Sequence, residues 1–280
     1  MKKWAGSRAA FFAFEGMVLL ALVAFYVWRP FTRTYGDFTF TQTQRYLLEM
    51  LVSRTLGALL FFGMVCYVKY PVLGPGRPGL YLVFPFLVAL NNFQWEAVIR
   101  REASFEGKVW EAVVLFFAAL AIGCFEELVF RGLFLCSLLE AFHTNKKQIL
   151  LVSLLSSVLF GLVHLLNLFE GAGVGDTLMQ VGYSTLIGAM CSLMLLLSGS
   201  VWYCMAVHAL FDFGGMLLPT LGHANWFRPL TIALMAVLGV ATAVVLLWKF
   251  LRTDTESLPH PWERKKREVA HEPESAGDGL

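Results

Sequence analysis

Residues 109–139 read VWEAVVLFFAALAIGCFEELVFRGLFLCSLL, an almost wholly apolar run in which Glu126 and Glu127 are followed by Arg131. The run exceeds the ~20 apolar residues that cross a hydrocarbon core as a helix. A charge at bilayer depth costs about 2.5–3.5 kcal/mol on insertion scales, so ionisable residues there face a partner or a water-filled cavity. This stretch predicts a helical membrane protein and marks its polar cluster as the first place to look for chemistry.

Working outward, the 280 residues are 58% hydrophobic and 15% charged, with a mean hydropathy of +0.65. A soluble globular surface does not accommodate that composition. The net charge of +2 is small, and the basic residues cluster in loops and at the two ends, which excludes a nucleic-acid partner. Apolar stretches of spanning length predict eight transmembrane helices: Ala9 to Trp28, Tyr46 to Val68, Leu80 to Ile99, Val109 to Leu139, Gln148 to Phe169, Thr177 to Ser198, Val201 to Pro219 and Pro229 to Leu251. The fold class is all-α, a polytopic membrane protein with its helices around an intramembrane polar cavity.

The fourth span is long enough to be tilted, broken or extended beyond the bilayer, and only Gly199 and Ser200 separate the sixth from the seventh. The first span follows Lys2, Lys3 and Arg8 as a signal peptide would, but its length and the absence of a small-residue cleavage site favour a retained helix. Gly74-Pro75-Gly76, Arg77-Pro78 and the glycines at 171, 173 and 175 mark connections. No strand precedes that last loop and no GKS or GKT follows it, so it is a connector and not a phosphate cradle.

The chain divides into three N-terminal helices (1–108), a core (109–219), a last helix (220–252) and a polar, unstructured tail (253–280) whose basic run is Arg264 to Arg267. With the N-terminus inside, thirteen Lys and Arg fall on the side of both termini. Seven fall opposite: Arg29, Arg33, Arg45, Arg100, Arg101, Lys108 and Arg228. The excess places both termini in the cytoplasm, with the plasma membrane as the expected location.

On a helix Glu127 and Arg131 share a face four residues apart, while Glu126 is turned about 100° away. One acid is neutralised and the other is left to a low-dielectric pocket, which suits a general base near neutral pH. A buried ion-pair network that holds helices together explains the same residues. The fifth span adds Phe160-Gly-Leu-Val-His164 with Asn167 one turn on, and the seventh adds His208-Ala-Leu-Phe-Asp212. A lone histidine on an apolar helix is usually a satisfied core residue. Polar groups on three separate apolar helices need partners that lipid does not supply, and one central pocket supplies them all.

Other candidates carry less. Cys66, Cys124, Cys136, Cys191 and Cys204 show no paired spacing and read as small hydrophobes, with Cys124 the one alternative nucleophile. His143, His223, His260 and His271 fall in loops or the tail. Glu15 and the Glu49/Arg54 pair are placed to pair or to snorkel to the interface. Asn91, Asn92, Gln94 and Trp95 either line a cavity or anchor at the interface.

Glu126-Glu127-Leu-Val-Phe-Arg131, Phe160-Gly-Leu-Val-His164 and His208-Ala-Leu-Phe-Asp212 together resemble the EExxxR, FxxxH and HxxxN/D motifs of the CAAX prenyl protease and bacteriocin-processing (CPBP, or Abi) family of intramembrane proteases. Order and spacing both match, over about Val109 to Pro219. The resemblance implies an endopeptidase of about eight spans that cuts a membrane-associated peptide or protein within the lipid bilayer. Glu126 and His164 would activate water, His208 and Asp212 would stabilise the oxyanion or orient the groups that do, and Arg131 would hold Glu127, with Asn167 in support.

Type II CAAX prenyl endopeptidases have Asn where this chain has Asp212. An ionised carboxylate donates no hydrogen bond, which favours an orienting role on His208 or a protonated acid. No cofactor is expected, with a divalent metal such as zinc as the alternative, since two histidines and the nearby acids offer ligands. The HExxH arrangement is absent. A proton-coupled transporter and a catalytically silent immunity or scaffold protein are the competing functions. One conflict stands: at about 1.5 Å per residue, His208 lies about 10 Å from the inner end of its span and His164 about 24 Å from Gln148.

Overall fold

The computed structural model describes residues 8–27, 40–142, 145–224 and 229–264. Among these the chain is helical almost throughout: α1 (Arg8–Val27), α2 (Gln42–Val68), α3 (Val83–Asn91), α4 (Trp95–Ile99), α5 (Val109–Glu127), α6 (Cys136–Phe142), α7 (Lys146–Val163), α8 (Val174–Ser198), α9 (Val201–Leu221) and α10 (Pro229–Arg252). A two-residue antiparallel pair, β1 (Ser104–Phe105) with β2 (Gly222–His223), ties the start of α5 to the end of α9. His143, His271 and the basic residues from Lys265 onward lie outside the described residues.

Six helices are long and apolar enough to cross a membrane, the longest being the continuous Val109–Phe142; Ala13–Phe25 and Leu80–Asn91 are shorter apolar helices. The chain is thus a multi-pass helical membrane protein, with six spans of full length among the described residues where the sequence predicts eight. The expected third span is broken. A 3-10 turn at Leu80–Leu82 leads into α3, and Gln94 at φ 55° separates α3 from α4. The break has a chemical purpose. Pro219 in α9 has no N–H to give the Gly215 carbonyl, and Gln94 Nε2 reaches that carbonyl at 3.4 Å. Asn92 Nδ2 donates to Phe211 O at 2.8 Å. Trp95 stays half exposed and donates to Leu90 O.

Local chemistry sets the helix ends. Thr41 and Gln44 cap α2 reciprocally, and Asn145 caps α7 through Gln148 N. The first acid of the long apolar run, Glu111, accepts from Lys108 N and from Gln44 Nε2, both at 2.7 Å, so it caps α5 and staples it to α2. Immediately after Glu127 the helix widens into a π segment, Leu128–Leu135, that carries Arg131, and Cys136 Sγ donates to Arg131 O at 3.1 Å. Widened turns of this kind are frequent at functional sites.

One acid and one base expected to pair or snorkel are engaged within the bundle. Ser137 Oγ donates to the buried Glu15, which docks α1. Arg54 donates to Phe25 O at 2.6 Å and lies 5.5 Å over the Phe125 ring. The segment 253–264, expected to begin an unstructured tail, also lies against the core. Leu258 and Trp262 are buried and Arg264 pairs with Glu140 at 2.7 Å, because two apolar side chains and one charge partner hold a segment whose average composition is polar.

Close packing at the centre depends on glycine. A Cβ on Gly123 would stand 2.9 Å from both Ala209 N and Met205 O of α9, and one on Gly161 would stand 2.7 Å from Val181 O of α8. Small residues let helix backbones approach in this way inside membranes. Gly123→Val is expected to lower stability by about 1–3 kcal/mol, as overpacking does, seen as a lower thermal midpoint of the detergent-solubilised chain by tryptophan fluorescence. A midpoint equal to the parent's would show that α5 and α9 separate at no cost.

Candidate functional site

The polar groups of α5, α7 and α9 surround one cavity of about 770 Å³. Helical periodicity sets its walls. Residues 46, 49, 50, 53 and 54 of α2, 180, 183, 184 and 187 of α8, and 208, 211, 212, 215, 216 and 219 of α9 recur at three- and four-residue intervals and line it. One end of the lining is formed by the N-terminal parts of α2 and α8 and the last turn of α9, with Tyr46, Asp176 and Thr220, of which Tyr46 and Asp176 are exposed.

At its base Glu127 is wholly buried and its Oε1 accepts two hydrogen bonds, from Arg131 Nη1 at 2.9 Å and from His208 Nδ1 at 2.8 Å. One carboxylate oxygen therefore joins the π segment to α9. Arg131 is fully buried as well, its guanidinium 4.5 Å over the Phe160 ring. The sequence pairs Glu127 with Arg131 alone, and the bond to His208 arises because Gly123 lets α9 approach α5.

Because Nδ1–H is given to Glu127, the other ring nitrogen of His208 faces the remaining acids, 3.4 Å from Asp212 Oδ2 and 3.7 Å from Glu126 Oε2. Glu126 is buried, and its Oε2 has no hydrogen-bond partner among the described residues. His164 opens the 3-10 turn at the end of α7, and its Nδ1 gives its proton to Phe160 O at 3.0 Å, leaving Nε2 as an acceptor. Glu126 and His164 line the same cavity but are not bonded to each other. The edges of Phe160 separate the two histidines, 5.3 Å from the His164 ring and 5.6 Å from that of His208. Asn167 is set farther out, donating to Gln180 Oε1 at 2.7 Å.

The disagreement over depth has a structural reason. Gly199, at φ 76°, turns α8 into α9 beneath other chain segments. Arg77 N donates to Ser198 O, Ser200 Oγ donates to Gly74 O, and Pro259 packs against Gly199. Ser198 and Ser200 are fully buried. The start of α9 is thus sunk inside the protein and does not mark a bilayer edge, so counting residues from it understates the depth of His208.

Sequence reasoning left Arg54 and Asn92 at the membrane interface or undecided, and the structure puts both on the cavity wall. Their signal was the period shared with Tyr46, Glu49 and Met50 on α2, and the run of amides in an apolar stretch. Cys191 and Cys204, thirteen residues apart in sequence, meet beside Glu127. Among the described residues these three form the one group of metal-ligand types within 4.8 Å of one another, and Cys204 Sγ already donates to Cys191 O. Glu126, His164, His208 and Asp212 do not form such a group among the described residues.

The model of the family described as type II CAAX prenyl endopeptidase Rce1-like matches residues 108–214. No curated protein and no solved structure matches the chain.

Removing one partner of a buried ion pair strands the other charge at a cost of about 3–5 kcal/mol. Arg131→Met is expected to destabilise by that amount in equilibrium unfolding in detergent. A loss under about 1 kcal/mol would show that His208 alone satisfies Glu127.

Proposed function

We propose that this chain, a member of the Rce1-like type II CAAX prenyl endopeptidase family through residues 108–214, hydrolyses a peptide bond of a membrane-associated peptide or protein with Glu126 and His164 as its water-activating pair. The family match supports a CAAX-type intramembrane peptidase; the roles of single residues are inferred from geometry. The observation that carries them is the separation of the two acids: Glu127 gives its Oε1 to Arg131 and His208 and is not among the residues that line the cavity, while Glu126 lines it with an unpartnered oxygen.

In this mechanism a water in the cavity donates one hydrogen to Glu126 and the other to His164 Nε2. Glu126 takes a proton as the hydroxide adds to the scissile carbonyl, and the π pair moves onto oxygen. His208 acts as the imidazolium, with Nδ1–H held by Glu127 and Nε2–H, flanked by Asp212, facing the developing oxyanion. As the tetrahedral intermediate collapses, the C–N bond breaks and the proton held by Glu126 passes to the departing amine. No step requires a metal, and the four cavity residues form no group of metal ligands among the described residues, which favours that reading over a metalloprotease.

The Lys and Arg excess supports cytoplasmic termini, and we take the plasma membrane as the location. In that orientation the end of the cavity lined by Tyr46, Asp176 and Thr220 faces away from the cytoplasm.

Glu126→Gln and His164→Ala are each expected to reduce hydrolysis at least a hundredfold at normal expression and unchanged sensitivity to chelators. The measurement compares membrane-peptide products in cells producing the parent chain or each variant. Products formed equally by Glu126→Gln would end the assignment, and loss of parent activity on chelation would restore the metal mechanism. For orientation, Asp176→Cys should react with an impermeant maleimide added to intact cells; labelling only after lysis would reverse the topology.

A further inference from the structure

A peptide bond inside a helix is closed to attack, because its carbonyl already accepts from the N–H four residues on. A segment cleaved at Glu126 and His164 is therefore extended, and each N–H and C=O it frees needs a partner that lipid does not supply. The edge of a β-strand offers such partners, and extended peptides bind by adding a strand to it. β2 has such an edge. Glu106 N donates to Leu221 O at 2.8 Å, and the register is Ser104↔His223 and Phe105↔Gly222. The alternation of an antiparallel ladder then makes Phe105 and Gly222 the pair without hydrogen bonds between its members. The N–H and C=O of Gly222 consequently point away from β1.

That N–H is bonded neither to α9, which ends at Leu221, nor to any other described residue. The carbonyl accepts from His223 Nδ1 at 2.7 Å and keeps a second lone pair. The close approach of β1 requires glycine here, since a Cβ would collide with Ser104 O. Pro219 and Thr220 before the strand and Ala224 after it line the cavity.

Resting on the peptidase reading above, we infer that the edge of β2 at Gly222 is a substrate-docking strand that takes an extended segment of the membrane-associated peptide as a third strand. Gly222 N–H donates to a substrate carbonyl, and Gly222 O accepts a substrate N–H. Gly222 lies ten residues beyond Asp212, about 15 Å along α9 at about 1.5 Å per residue. An extended chain covers that distance in about four to six residues. A strand edge reads backbone, so this contact sets the register of the substrate and leaves the choice of side chain to the cavity around Glu126.

The docking strand is tested in the full chain reconstituted in liposomes. The probe is an internally quenched synthetic peptide spanning the bond identified by the membrane-peptide comparison above, made as a series in which one backbone amide at a time becomes an ester. Each ester deletes an N–H and keeps the side chain. One replacement about four to six residues from the cleaved bond should raise KM about five- to tenfold, the usual effect of one lost hydrogen bond, at unchanged kcat. Its two neighbours, whose N–H groups point the other way, should change KM less than about twofold.

In Gly222→Ala, whose Cβ pushes β2 off β1, that position-specific penalty should vanish; if this variant does not fold, the series on the parent chain decides alone. A folded variant that keeps the penalty, or esters that act equally at every position or only within three residues of the bond, overturn the docking strand while leaving the peptidase reading intact. Failure of the parent to cleave any membrane peptide overturns that reading instead.

Discussion

One carboxylate with nowhere else to go organises this protein. Glu127 lies at full burial in a lipid-embedded helix bundle, where an unpaired charge costs several kcal/mol, and its Oε1 is met by a guanidinium from one turn on and an imidazole from another helix. Each partner is fixed by something further out. Arg131 is aimed by the π segment and lies on the Phe160 ring, and His208 is brought within reach because Gly123 has no side chain. Satisfying one buried charge therefore sets the register of α5 on α9 and delivers α7 through Phe160.

The functional asymmetry follows from that constraint. Two adjacent acids on a helix point about 100° apart, so a network that neutralises one leaves the other facing a different way. Here the other way is the cavity. His208 belongs to both sides, giving one nitrogen to the structural acid and presenting the second between Glu126 and Asp212. The same imidazole is thus oriented by the fold and available to chemistry, as histidines with a bound second nitrogen commonly are.

The periphery protects this arrangement. The breaks that weaken α3 and α9 as membrane spans satisfy each other, since Gln94 reaches the carbonyl that Pro219 leaves open. The turn between α8 and α9 is covered by the 71–78 loop and by residues 255–262, with Arg77 Nη1 joining the two covers through Ser257 O. A segment of polar average composition becomes part of the fold because Trp262 finds a buried site and Arg264 finds Glu140.

What the sequence determined by itself was whatever depends on local period and on the cost of charge in lipid. Apolar length established an all-helical membrane protein, and the four-residue spacing of Glu127 with Arg131 and of His208 with Asp212 follows from 3.6 residues per turn. The three spaced motifs pointed to the family whose model matches residues 108–214. Tertiary structure alone decided what depends on contacts between distant residues: that Glu127 is shared with His208, that Cys191 and Cys204 adjoin it, that Arg54 and Tyr183 face the cavity, and that six helices, not eight, have full spanning length among the described residues. No local pattern encodes these. A hydrogen bond 81 residues apart in sequence exists only after α9 has closed on α5 at Gly123, and the depth of a helix end is set by what packs over it.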